Sequence, residues 1–551
     1  MARPVGPRRR DLGRPAQALG RLRQLQRTGA SGRPPSSRVS PLRRPALAGL
    51  VALAVLAFLP AAWSGFLADD YNLLQTLGRA GDIAGAFSSN DIGEAGNAGH
   101  FYRPVWVLWN AGLKGLFGPS AFAFHVANLL LYAAITVEVW ALVRRLVGDS
   151  RAWIAAAAFA VYPRHGESVA WISGSTDLTA TALVLAALLC ATASWRLPVR
   201  LASAAALAVC AALAKEAAFV SPLLALLLLW GARRSGRWLI SGAMALGVAG
   251  VAVLRLAVIG GLGGYSDFPW TVPRAIGSVG SYVLASVTPP DLALMRHWYY
   301  LLLPAFFLSI LMLRVWSLAR RGERDRVRIA SIGFAWFAIA PLPLLNIAVD
   351  LNNANGERLM FLGSVGLALS FAVLVEPGWL LATVGVCALA LSMLTAGNWL
   401  EAERISNRVL DAAVRLTPPR GELVLLSSPE NYRTAHVFPG GTIDAALAWR
   451  GRGDLKSAVC THVVVREARS GAISFAPLQN GSYRGSTTWQ APFDFPVLRS
   501  SVRLAADCSY TRVGGGPPGL GLTADVKPVP SREPVILPFF DGYTLRLLSV
   551  S

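Results

Sequence analysis

The chain has 551 residues, 54% of them hydrophobic and 15% charged, with a mean hydropathy of +0.46. Soluble domains carry about 25% charged residues, so this composition excludes a soluble globular protein and places most of the chain in lipid. The formal charge of +21 would suit a nucleic-acid binder, but residues 1–44 alone hold twelve arginines, Arg3 to Arg44, against the one acid Asp11, and that distribution excludes it.

Residues 1–44 are rich in Pro, Gly and Ser and have no apolar period, so they are expected to form a disordered basic cytoplasmic tail lying near anionic lipid. The apolar run that follows reads as a retained span, because the tail is too long and arginine-dense for a cleaved leader. Apolar runs then predict eleven transmembrane helices, near 46–66, 119–143, 152–163, 178–194, 201–214, 217–231, 238–259, 298–316, 329–347, 359–376 and 378–398. The third, fifth and sixth are short, which leaves room for a re-entrant segment. Arg144 and Arg145, Arg196 and Arg200, Arg233, Arg234 and Arg237, and the run Arg320 to Arg328 all fall on the side of the tail. The positive-inside rule therefore puts the N-terminus in the cytoplasm and the C-terminus outside. Arginine outnumbers lysine 48 to 4, which fits a GC-rich genome and the inner membrane of a bacterium.

The outer loops are then 67–118, 164–177, the turn Lys215–Glu216, 260–297 and 348–358. They collect Asp69, Asp70, His100, Arg103, His165, Glu167, Asp177, Lys215, Glu216, Asp350, Glu357 and Arg358, whereas the inner loops carry little but arginine. The working face is accordingly expected outside. The first loop is long enough for Ile83–Phe87 and Tyr102–Phe117 to lie along the membrane surface, with Trp106 and Trp109 at the interface.

From about Glu401 the pattern changes to short alternating runs, Glu422–Leu426, Ala458–Val465, Ala472–Phe475, Val502–Ala506 and Tyr543–Val550, punctuated by Gly, Pro and Asn. The predicted organisation is a tail over 1–44, an α-helical polytopic membrane domain over 45–400 and a β-rich extracytoplasmic domain over 401–551. No repeat of 20–50 residues occurs, and the glycine-rich stretch 514–519 is expected to be a loop. Five cysteines show no zinc spacing. Cys190, Cys210 and Cys387 fall in apolar runs, while Cys460 and Cys508 can form a disulfide if their region is outside the cytosol.

Asp69 and Asp70 stand side by side three residues past the first apolar run. Adjacent carboxylates at the edge of a low-dielectric slab repel each other, a cost that a solvated helix end tolerates and that a proton-accepting site exploits. Three more pieces accompany Ala68-Asp69-Asp70-Tyr71 with its following Tyr102-Arg103-Pro104. They are Phe124-His125-Val126-Ala127-Asn128, the segment Phe159 to Gly174 with Pro163-Arg164-His165-Gly166-Glu167 and then Thr176-Asp177-Leu178, and Ala214-Lys215-Glu216 with Glu357-Arg358-Leu359-Met360-Phe361. In order and spacing these resemble the polytopic GT-C glycosyltransferases over roughly 46–376, especially the protein O-mannosyltransferase-like branch. The chain lacks the tetratricopeptide repeats of eukaryotic members and has Tyr162 where that branch often has His.

The resemblance implies an inverting transfer of a hexosyl or pentosyl group from a polyprenyl-phosphate sugar to a glycan, lipid or protein acceptor, with an acidic residue of the first outer loop as base. The residue chemistry agrees. A sugar hydroxyl is a poor nucleophile until a carboxylate takes its proton, which assigns Asp70 first and Asp69 second. A leaving lipid phosphate needs fixed cations, and Lys215 and Arg358, with Arg103 after them, are candidates. Local pairs Lys215–Glu216 and Glu357–Arg358 are the plainer alternative. His165 and Glu167 suit either an acid–base site or a hydrogen-bonded loop, and Asp177 adjoins them. His125 and Asn128, a helical turn apart, suit bonds between helices. No HExxH or DxD-type motif occurs, so no metal, cofactor or nucleotide-sugar donor is expected, and neither is nucleic acid. Two rival readings are a polytopic lipid or polysaccharide transporter or flippase, which would want charges at mid-membrane and paired broken helices, and a non-catalytic envelope-assembly protein.

Overall fold

A computed structural model describes residues 43–79, 85–88, 101–232, 235–261, 269–291, 298–351, 355–417, 422–439, 442–460, 462–477, 483–487, 508–512, 524–528 and 538–547. The tail before residue 43, His100, the run Val502–Ala506 and the stretch 514–519 lie outside the described residues. The chain falls into two compact units, Met1–Ala48 and Gly49–Ser551, and the second holds the helical bundle and the β region.

The helices are α1 (Arg43–Phe58), α2 (Asp70–Arg79), α3 (Gly85–Ser88), α4 (Pro104–Phe117), α5 (Ala121–Val147), α6 (Asp149–Ala160), α7 (Gly166–Ala170), α8 (Ser175–Ala191), α9 (Leu197–Ala214) and α10 (Ser221–Gly231). They continue with α11 (Arg237–Ile259), α12 (Val272–Val287), α13 (Leu302–Arg320), α14 (Arg324–Ile339), α15 (Phe361–Leu374), α16 (Trp379–Leu416) and α17 (Ile443–Trp449). The chain is a multi-pass membrane protein, but the count of spans differs from eleven. Among the described residues eight helices are long and apolar enough to cross, or nine if the bent pair Pro163–Ala170 and Ser175–Ala191 is one span. The other predicted runs are helical but short: α6 has 12 residues and α10 has 11.

The bend has a local cause. The turn between α7 and α8 folds Gly174 so tightly that a Cβ there would sit inside the carbonyl oxygen of Glu167. Only glycine allows that approach, and the two helices meet at 105°. Helices α14 and α15 pack with equal closeness through Gly333 and Gly366, where a Cβ would strike the facing backbone. There Trp336 Nε1 donates to Leu362 O at 2.9 Å and Ser370 Oγ to Ala330 O at 2.9 Å, small and polar residues acting as the adhesive that lipid-facing packing requires.

The arginine clusters mark one end of the bundle. There Glu376 receives Arg151 at 2.8 Å, Arg314 at 2.6 Å and Arg326 at 2.7 Å, at the C-terminal end of α15, where the helix dipole also favours cations.

Helix α16 has 38 residues and runs unbroken past residue 400, about 57 Å at the standard rise. It carries the β region: β1 (Glu422–Leu425), β2 (Ser428–Tyr432), β3 (Ala435–His436), β4 (Lys456–Val459), β5 (His462–Val465), β6 (Ile473–Pro477), β7 (Tyr483–Thr487), β8 (Cys508–Arg512), β9 (Ala524–Pro528), β10 (Pro538–Phe540) and β11 (Leu545–Leu547). The run Ala458–Val465 is two strands, because β4 pairs with β1 and β5 with β2, each in parallel. A four-stranded sheet of order β6-β7-β9-β8 stands beside them. Val424, Leu426, Cys460 and Phe539 form a small core. Cys460 is disulfide-bonded, while Cys190, Cys210 and Cys387 are free thiols.

Candidate active site

The site grows from the turn that follows the first span. Ala68 adopts φ +52° although it has a side chain, and it is fully buried. A left-handed alanine costs about 1–2 kcal/mol, strain that gathers at functional sites and persists where the surroundings hold it. This kink sends the next two carboxylates in different directions.

Asp70 turns inward. Its Oδ2 accepts from Leu67 N at 3.0 Å, and its Oδ1 accepts from Ser173 N at 2.8 Å and Ser173 Oγ at 2.7 Å. It is 1% exposed, and burial pushes its pKa up to about 7 against the pull of these donors. The broken helix is what supplies them: Trp171 Nε1 reaches Leu67 O at 3.4 Å from the same turn. Asp69 is half-buried, hydrogen-bonds with Asn72, and lies within the field of Arg358 and Arg103. Burial raises its pKa too, and the nearby positive charge of Arg358 opposes that rise. The two adjacent carboxylates thus occupy different surroundings. Asp70 is bonded through both oxygens and buried, whereas Asp69 keeps partial exposure and feels the charges of Arg358 and Arg103.

Around Asp69 the predicted residues come together in pairs. Arg103 grips Glu216 with two bonds, 2.7 Å and 3.2 Å, a planar fork matched to a carboxylate. Arg255 approaches the same Glu216 at 3.7 Å and donates to Tyr102 O at 3.3 Å. Lys215 pairs with Asp177, not with its sequence neighbour Glu216. Arg358 pairs with Glu167, not with Glu357, and stacks 4.9 Å from the Trp171 ring centroid. Its charge, like that of Arg103, also acts on Asp177. Side-chain exposure separates the cations: 14% for Arg358, 6% for Arg103 and 1% for Lys215. Lys215 is therefore closed off in its pair with Asp177.

Two further predicted residues, His165 and Glu357, are buried. His165 belongs to the core, where Nδ1 meets Tyr132 Oη at 2.8 Å and Nε2 meets Ser364 Oγ at 2.8 Å inside a cage of Phe159, Tyr162 and Phe361. Glu357 pairs with Arg164, each side chain 1% exposed, and Arg164 also donates to Thr288 O and Pro289 O. These two residues brace the site without facing it. Trp106 is fully buried with Nε1 on Ser175 Oγ at 2.9 Å, so of the two tryptophans placed at an interface only Trp109 is exposed. His125 meets Ser64 Oγ at 3.0 Å, an inter-segment bond of the kind its position suggested.

Sequence reasoning passed over Ser173, Arg255 and His436. Arg255 carried a signal, a charge inside the apolar run 238–259. Ser173 and His436 carried none, because only the tertiary fold brings them here. Among the described residues no group of three or more His, Cys, Asp or Glu could hold a metal ion.

No family model matches the chain. It is 31% identical over 159 residues to "Protein O-mannosyl-transferase Tmtc1" of Drosophila melanogaster, covering 26% of this chain and 18% of that protein. It is 37% identical over 100 residues to "Protein O-mannosyl-transferase TMTC1" of Homo sapiens, covering 18% of this chain and 11% of that protein. The chain thus spans less than a fifth of the length of these curated relatives. Among solved structures it is similar to ArnT from Cupriavidus metallidurans bound to undecaprenyl phosphate, at TM-score 0.39 and 13% identity, covering 73% of this chain and 84% of that one. It is likewise similar to the archaeal oligosaccharyltransferase AglB from Archaeoglobus fulgidus, at TM-score 0.39 and 12% identity, covering 75% of this chain and 64% of that one. Each similarity is partial or distant: the two curated relatives match over 26% and 18% of this chain, and the two solved structures are 13% and 12% identical to it.

Proposed function

We propose that this chain is an integral-membrane glycosyltransferase that moves a sugar from a polyprenyl-phosphate donor to an acceptor hydroxyl, on the face of the membrane opposite its arginine clusters. The observation that carries the reading is the divided acidic pair. A strained Ala68 and the broken-helix turn hold Asp70, which leaves Asp69 half-buried beside Arg358 and Arg103. Asp69 is the base: it takes the acceptor's proton as the acceptor oxygen attacks the anomeric carbon and the lipid phosphate leaves with the bonding pair. Arg358 is the phosphate contact, because it keeps the most exposure among the cations of the cluster, and charge-assisted bonds to phosphate are the strong ones. Lys215 with Asp177, and Arg103 with Glu216, hold the surrounding helix ends in register. The O-mannosyl-transferase name of the curated relatives supports sugar transfer, and the disulfide at Cys460 supports a non-cytosolic C-terminal region.

The transporter reading finds one feature in its favour, the bent pair at 105°. That bend is already used, since its turn supplies two of the three bonds to Asp70. The test is incubation of the purified protein in detergent with a panel of polyprenyl-phosphate sugars and candidate acceptors, scoring release of lipid phosphate. Release with at least one donor supports the reading, and protein that is folded yet releases none from the whole panel contradicts it.

A further inference from the structure

The β region does not merely adjoin the membrane domain; it reaches into the site at one residue. The hairpin of β2 and β3 turns at Arg433, which takes φ +52°, and Thr434 Oγ1 accepts from Asn398 Nδ2 of α16 at 3.0 Å. These fix the position of His436, which is 3% exposed. Its ring lies edge-on to Trp171 at 4.7 Å and Trp399 at 5.8 Å. Its Nδ1 sits 3.0 Å from Asn431 Oδ1, and its Nε2 sits 3.0 Å from Glu167 Oε1.

Glu167 is the junction. Besides His436 it accepts from Gly356 N at 3.3 Å, from Arg358 N at 2.9 Å and from the Arg358 guanidinium. One carboxylate therefore ties together α7, the segment that opens α15 and the C-terminal hairpin. Arg358 has a long side chain with large rotamer freedom, so its usefulness toward a phosphate depends on what pre-orders it. Glu167 and the Trp171 face provide that order, and His436 holds Glu167.

We propose that His436 is a positioning residue through which the C-terminal region sets Arg358: the imidazole fixes Glu167, and Glu167 aims the guanidinium at the donor's phosphate. The proposal rests on the transferase reading above and adds that a lone membrane domain would have a poorly formed donor site. His436 itself touches neither donor nor acceptor.

The test is a double-mutant cycle on the full chain in detergent, reading KM for the polyprenyl-phosphate sugar and kcat separately. His436→Ala should raise the donor KM about 10-fold, equal to about 1.4 kcal/mol of lost binding, and change kcat less. His436→Gln places an amide donor where Nε2 was and should restore most of the affinity, whereas His436→Asn, which places it where Nδ1 was, should not. Glu167→Gln alone should also raise KM, and adding His436→Ala to it should bring little further loss, because the two act in series. Each variant is checked for the wild-type elution profile and an intact Cys460 disulfide, and the Gln/Asn contrast decides the matter even if the alanine variant misfolds. Multiplying effects, equal behaviour of Gln and Asn, or a donor KM within twofold of wild type in His436→Ala would each overturn the proposal. A wild-type protein with no turnover on any donor would instead overturn the transferase reading itself and this inference with it.

Discussion

Replacing Asp70 by Asn is the sharpest test of the division of labour within the acidic pair. The carboxylate of Asp70 is acceptor-only and meets three donors, at 3.0, 2.8 and 2.7 Å, two of them backbone N–H groups on different oxygens. An amide has one acceptor oxygen and one donor NH2. Whichever way it flips, one backbone N–H faces another donor, and a buried unsatisfied group costs about 1–3 kcal/mol. Asp70→Asn should therefore destabilise the protein by about 1–3 kcal/mol, and Ser173→Ala by about 1–2 kcal/mol for its hydroxyl bond alone. Asp69→Asn should cost under about 1 kcal/mol, since that side chain is half-buried and its neighbours can rehydrate. Equilibrium unfolding of the three variants in detergent reads these differences. Equal destabilisation by Asp69→Asn and Asp70→Asn, or a neutral Asp70→Asn, would refute the assignment of Asp70 as the structural member.

Ala68→Gly should leave stability within about 1 kcal/mol, strain relief offsetting the lost methyl and added chain entropy, whereas Ala68→Val should cost about 2–3 kcal/mol at a φ that β-branched residues avoid, again read by unfolding. Glu357→Gln leaves Arg164 buried without its counter-charge and should cost about 3–5 kcal/mol, much of it recovered in Arg164→Met with Glu357→Leu. Because a base must be ionised to act and burial raises the Asp69 pKa, turnover should be full above that raised pKa and fall as pH drops through it, above the ordinary carboxylate range. Arg358→Gln removes a charge that opposes the rise, so the acid limb of the pH–rate profile should move to higher pH.

The helices were legible where a single segment decides its own fate. Apolar runs and arginine clusters act locally, and among the described residues the eight helices long and apolar enough to cross each coincide with a predicted run. The bent pair was not legible as one unit, because Gly174 forces the break only through the carbonyl of Glu167 behind it. At the site the residue types were readable and their pairings were not. Lys215 lies next to Glu216 in sequence, but at the end of α9 the chain is extended, at φ −162°, so the two side chains diverge and find Asp177 and Arg103 instead. Glu357 and Arg358 likewise part, to Arg164 and Glu167. His436 was invisible because a histidine in a two-residue strand of a remote region announces nothing until the fold sets it on Glu167.

The measurement that bears most directly on the account is turnover by Asp69→Asn, taken together with its binding of polyprenyl phosphate. The substitution keeps size and hydrogen bonding and removes the base, so transfer should fall about 10²–10⁴-fold. Protection from thermal unfolding by polyprenyl phosphate should persist, because the lipid phosphate is held by Arg358 and not by the carboxylate. Turnover near that of wild type in Asp69→Asn, with binding intact, would contradict the claim that this carboxylate takes the acceptor's proton.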